Sequence, residues 1–283
     1  MSVTDTPTQT SQTDLRQKTL IAAANGTALY LLAYLTAYAA YYGVTILTAQ
    51  RLQIPGVLLL DRLQFLIPNS GWWQAAVVAV FGSGPVLCLL LAAVAGLWFW
   101  QRARRRRGLG KQYLMWLMLH GLNMFFGALV ADTVVQNGFW FAVNYLLLLG
   151  NVVNVLVAVL FGLVLLVLGY LAAPVFLQSH DSRTLMRFAQ RRRLLLATLF
   201  GPWAVGLLLL MLARFPQPDI NELLRGATML LMLVMVAVAS TTELFEFTVP
   251  SPQKTRVAWG LVVGLGLLLL GLRLLLGGAG LRF

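Results

Sequence analysis

Cysteine, histidine and charge are all scarce in this sequence, and each scarcity excludes a class of chemistry. The only cysteine, Cys88, lies inside an apolar run, so there is neither a disulfide framework nor a thiolate metal site. The two histidines, His120 and His180, are too few for the ligand set of a zinc hydrolase or for a bis-histidine haem, and HExxH is absent. No glycine-rich phosphate motif or dinucleotide fingerprint occurs. No lysine falls within an apolar run, which excludes a retinal Schiff base. Charged residues make up only 11% of the chain, too few to cover the surface of a soluble domain of 283 residues.

What is present is apolar length. Hydrophobic residues make up 59% of the chain and the mean hydropathy is +0.80. Runs of about 20 apolar residues cross a hydrocarbon core of about 30 Å as helices. They must be helical there, because no water satisfies exposed backbone groups. Period-two alternation is missing, which excludes a transmembrane β-barrel. The sequence therefore predicts an all-α polytopic membrane protein with seven spans, roughly 20–49, 73–100, 113–135, 140–172, 194–213, 227–247 and 257–277.

The net charge of +12 is a topology signal rather than a nucleic-acid footprint. Fifteen of the 21 Lys and Arg residues fall on one side of the predicted spans, with the densest runs at Arg102–Arg107 and Arg187–Arg193. The positive-inside rule makes that side cytoplasmic, with the N-terminus inside and the C-terminus outside. Trp72, Trp73 and Trp140 mark the outer interface; Trp98, Trp100, Trp116 and Trp259 mark the inner one. Short loops and a strong arginine bias suit a bacterial inner membrane. Residues 1–17, polar in their first part, are expected to be a disordered cytoplasmic tail ahead of one transmembrane domain, 18–283. The first span continues apolar past the small-x-small string Ala37-Tyr38-Ala39, so it is expected to be retained rather than cleaved as a signal peptide.

Two loops carry more than connection. Residues 55–67 follow Pro55 and read as a short amphipathic helix on the outer surface. Residues 181–193 mix Leu185, Met186 and Phe188 with arginines, which suits an interfacial helix on anionic headgroups. Gly82, Gly84 and Pro85 in the second span and Gly201-Pro202 in the fifth weaken the helical ladder. Gly260 and Gly264 in the seventh, and Gly127 with Ala131 in the third, would admit a close helix neighbour.

Polar residues within hydrocarbon are costly and need a reason. The third span carries His120 and Asn123, and the fourth carries Asn144, Asn151 and Asn154. A tight hairpin folded about residue 137 would level His120 with Asn154 and Asn123 with Asn151, with His120 and Asn123 on one face of their helix and Asn151 and Asn154 on one face of theirs. Glu243, toward the cytoplasmic end of the sixth span, is the candidate acidic partner of His120. Asp132 is expected to face the outer surface or Arg225 instead. Tyr30, Tyr34, Tyr38, Tyr41 and Tyr42 recur at helical spacing on the first span and should face other helices or a polar groove.

Three function classes follow. In the first, a transport or sensing protein handles a proton, ion or small amphiphile at the buried cluster. In the second, a membrane-embedded enzyme acts on a lipid-like substrate, with His120 as base and Glu243 as partner. In the third, the protein is a non-catalytic scaffold, the cluster only joins helices, and other membrane subunits would be its partners. The bilayer is a partner in every case, with anionic headgroups expected at the two arginine runs. The sequence names no metal set and leaves any cofactor unknown.

Overall fold

The computed structural model describes residues 12–60, 62–147, 151–216, 220–242, 256–278 and 280–283. Seven helical stretches are long and apolar enough to cross a membrane, matching the seven expected spans. The first is α1 (Gln12–Arg51), followed by a hairpin of β1 (Gly56–Leu58) and β2 (Leu63–Phe65). Next come α2 (Gln74–Gln101) and α3 (Gly110–Leu122), which continues through a π turn at Asn123–Gly127 into α4 (Ala128–Val135). After a turn lie α5 (Phe139–Leu147) and α6 (Asn151–Gln178). The short α7 (Arg183–Met186) and α8 (Arg191–Leu195) lead through a second π turn into α9 (Gly201–Ala213). The chain ends with α10 (Ile220–Ser240), α11 (Trp259–Leu276) and β3 (Leu281–Arg282).

α1 is the central helix and packs against α2, α3, α9 and α11. Small residues permit this. Ala33 and Ala37 are fully buried, Gly26 faces Pro202, and Gly206 faces the ring of Tyr30. Apolar attraction between helices is weak in lipid, so close backbone approach and interhelical hydrogen bonds carry the association. The second tight pair is α6 with α10, where Gly169 lies against the backbone of Met232. Gly127 serves the close approach expected of it, toward Thr228. Gly260 and Gly264 instead face open space, so that pair does not join α11 to another described helix of this chain.

Several expectations are corrected. Residues 55–67 form a hairpin rather than an amphipathic helix, and β3 adds to it in the order β2-β1-β3. The deciding partner comes from the far end of the chain: Gly56 and Phe283 exchange backbone hydrogen bonds of 3.2 and 3.0 Å. A Cβ at Gly56 would strike the Phe283 ring. This pairing puts the C-terminus on the same side as the first loop, as an odd number of spans requires.

The fourth span is not 140–172. α5 packs mainly on α2, and α6 alone spans, from Val152 to Gln178. The sixth spanning helix starts at Ile220, before the expected residue 227, because its charged residues Glu222 and Arg225 are paired inside the bundle. α1 begins at Gln12, within the stretch expected to be a disordered tail. In 181–193, Leu185 and Met186 are buried in the core and Arg191 is only 4% exposed, so the segment is not a surface helix. Arg191 donates to the carbonyls of Ser240 and Thr242 at 3.0 and 3.3 Å.

Candidate functional site

The tyrosine ladder of α1 faces inward, as its spacing requires. Tyr30 and Tyr34 sit one turn apart and flank His120 of α3, with ring centroids 4.5 and 5.6 Å from the imidazole. Trp116 closes the same group, 5.0 Å from Tyr30. His120 is 3% exposed and its Nε2 has no hydrogen-bond partner among the described residues.

The Tyr34 hydroxyl leads from this aromatic group into a chain of charges. It donates to Glu222 Oε2 at 2.9 Å and accepts from Arg214 Nη2 at 2.9 Å. Arg214 Nη1 lies 3.6 Å from Glu222 Oε2, and Arg225 Nη1 lies 3.5 Å from Oε1. Arg225 then forks onto Asp132, with Nε 3.1 Å from Oδ1 and Nη2 2.8 Å from Oδ2. Asp132 is fully buried and also accepts from the Phe139 amide at 2.7 Å. Two guanidinium and two carboxylate groups thus cancel within one connected set. Mutual pairing is what makes such burial tolerable, since a stranded ion in this environment costs several kcal/mol.

Local backbone geometry holds the set in place. The π turn begins at Asn123, whose amide donates to the Arg225 carbonyl at 2.6 Å while its oxygen accepts from Thr228 at 3.2 Å. π turns inside α-helices are frequent at functional sites. The tight turn at Gln136–Gly138, with both end residues at positive φ, brings the Phe139 amide back onto Asp132. Arg225 lies 5.5 Å over the ring of Tyr41, and Arg214 lies 5.3 Å over that of Tyr38.

A cavity of about 20 Å³ is lined by His120, Tyr34, Glu222 and Arg225. That is room for about one water molecule. On the hairpin side of Arg225, a second pocket of about 80 Å³ is lined by Tyr41, Tyr42, Arg62 and Phe65. Arg225 is the wall common to both.

The sequence-predicted residues separate. His120 and Asn123 are in the site. Asn154 is not: its amide donates to Asn144 at 2.9 Å, ten residues earlier in the chain. α5 breaks the hairpin register, so Phe161 meets Phe125 and Phe126, and Ser179 meets Met115. The facing residues are shifted by more than three helical turns from a tight hairpin. Asn151 opens α6, and its side chain lies outside the described residues, as does Glu243. Asp132 does pair with Arg225.

Sequence reasoning missed Glu222, Arg214 and the role of Tyr34. The available signal was the i,i+3 pair Glu222–Arg225 at the head of an apolar run, where a loop charge would have had no need of a partner. Among the described residues no group of three His, Cys, Asp or Glu could hold a metal ion.

Fold and site together define a polytopic helical membrane protein with a neutral, buried ionic cluster. Comparison with protein-family models, with curated proteins and with solved structures gives no match.

Proposed function

We propose that the protein handles a proton or small ion within the membrane, at the cavity between His120, Tyr34 and Glu222. The observation that carries this reading is the buried Nε2 of His120, without a hydrogen-bond partner among the described residues, on a histidine that lines a water-sized cavity together with a hydrogen-bonded Tyr–Glu–Arg chain. A buried polar atom without a partner is expensive, and one water in the cavity would connect imidazole to phenol or carboxylate. Imidazole, phenol and carboxylate can all pass a proton, and histidine titrates nearest to neutral pH. The pocket beyond Arg225 gives the chain an approach from the hairpin side.

The test is proton flux in proteoliposomes carrying a trapped pH dye, with a potassium diffusion potential as the driving force. The wild-type chain is expected to move protons well above protein-free vesicles. His120→Gln and Tyr34→Phe should each lower the rate at least tenfold while leaving a monodisperse protein. No wild-type flux, or full flux in both variants, would overturn the reading. Under the scaffold alternative the same variants lose helix packing instead, and under the enzyme alternative a modified lipid accumulates.

The membrane in this reading is a bacterial inner membrane with the arginine-rich side cytoplasmic. Exposed Arg105, Arg106 and Arg107, with Arg187, Arg192 and Arg193, rest on anionic headgroups there. Arg191 is committed to the interior and takes no part.

A further inference from the structure

We infer that the cavity at the arginine-rich end of the bundle binds a phosphate group. This cavity of about 470 Å³ lies between the first turns of α1, the connector before α3, the end of α6 and the residues preceding α11. Its volume is that of a small-ligand site.

The identity of the guest follows from which polar groups in its wall are already used. Asp181 accepts from Lys111 Nζ at 2.6 Å and from the Gly108 amide at 2.8 Å, so its charge is neutralised in place. Asn25 is spent at both ends: its amide donates to the Arg256 carbonyl at 2.8 Å and its oxygen accepts from the Ala258 amide at 2.9 Å. His180 faces the Phe176 carbonyl at 2.8 Å and Thr198 Oγ1 at 2.9 Å. Burial also pushes its pKa down to about 4, so it is neutral and adds no charge to the cavity.

What remains free is donors. The Arg256 guanidinium and the Gln112 amide have no side-chain partner among the described residues. The Ser182 hydroxyl accepts from the Leu185 amide at 3.5 Å and keeps its own proton to give. These three donors approach from the first turn of α3, from the connector between α6 and α7, and from the residues preceding α11. A guest with several acceptor oxygens and negative charge answers all three, and a guanidinium is the side chain best shaped to grip a phosphate. Ala22, Leu109 and Leu185 supply apolar wall for whatever carries the phosphate. Two sources share this chemistry: the headgroup of a phospholipid and a free phosphate compound.

The experiment uses the full chain in a maltoside detergent. Phosphatidylglycerol binding is followed by native mass spectrometry against diacylglycerol, which has the same tails without the phosphate. Inorganic phosphate is followed by thermal shift against chloride. Binding of phosphatidylglycerol alone identifies a headgroup site, and stabilisation by inorganic phosphate identifies a free-phosphate site. In either case Arg256→Gln, at an exposed position, and Gln112→Glu, at a partly exposed one, should weaken binding at least tenfold. Replacing the exposed pair Arg105 and Arg106 by glutamine should change it less than twofold. The proposal falls if neither phosphate source outperforms its control, if Arg256→Gln and Gln112→Glu bind like wild type, or if binding follows Arg105 and Arg106. Proton flux is a separate measurement, so this site and the His120 site can fail independently.

Discussion

The two ends of the bundle treat polar groups in opposite ways. Toward the hairpin, Arg214, Glu222, Arg225 and Asp132 neutralise one another around a void that holds about one water. Toward the arginine-rich side, a cavity more than twenty times larger leaves a guanidinium and an amide without a partner among the described residues. The difference shows two ways to keep charge near hydrocarbon. One is closure, in which every ion has a built-in counterion and removing any member strands another. The other is openness, in which water or a guest completes the set and a single loss is absorbed.

The largest expected effect tests closure. Asp132→Asn leaves Arg225 without its forked partner and should destabilise the protein by about 3–5 kcal/mol, read as a lower threshold for unfolding in mixed micelles. Pairing Asp132→Leu with Arg225→Met should recover most of that loss, because no ion is then stranded. If the single and double variants unfold alike, the cluster is not held by mutual neutralisation.

An intermediate effect comes from His180. Its pKa falls from the ordinary 6.5 to about 4, chiefly through burial. Between those values the unfolded chain takes up a proton that the folded chain refuses. Stability should therefore fall as pH drops from 6.5 toward 4, by on the order of 2–3 kcal/mol, and stay flat above 6.5. His180→Asn should remove that slope in a melting series; an unchanged slope would assign it to other groups.

The smallest effect tests openness. Lys111→Met breaks the ion pair with Asp181, whose side chain keeps 16% of its exposure and borders the large cavity. Lys111 itself is only 5% exposed, but Asp181 keeps the Gly108 amide and the cavity beside it, so a cost of about 1–2 kcal/mol is expected, below that of Asp132→Asn. Equal costs for the two variants would erase the contrast between the ends.

The spans were legible because each rests on a local property, a run of apolar residues long enough for the bilayer. The register between spans was not. Residues 139–147, FWFAVNYLL, look like any stretch of membrane helix, and only the excess length of the expected 140–172 run hinted that part of it lay elsewhere. For the site, His120 and Asn123 were visible as polar residues in hydrocarbon. Their real partners, Tyr34, Glu222 and Arg225, lie on α1 and α10, about a hundred residues away in sequence, where no hairpin argument reaches. The outer sheet was hidden for the same reason, since β3 is supplied by the chain's last residues.

α11 is the least enclosed of the spanning helices, with 11% of its apolar window buried. It is secured mainly at its tips. At one tip Asn25 grips the backbone of Arg256 and Ala258; at the other Arg273 reaches the carbonyls of Leu212 and Phe215, and β3 is sewn to the first hairpin. A strut pinned at both ends resists being pulled out of the bilayer yet leaves most of its length free to trade neighbours. Lipid tails, or another transmembrane helix, could replace one another along that flank without unfastening the span.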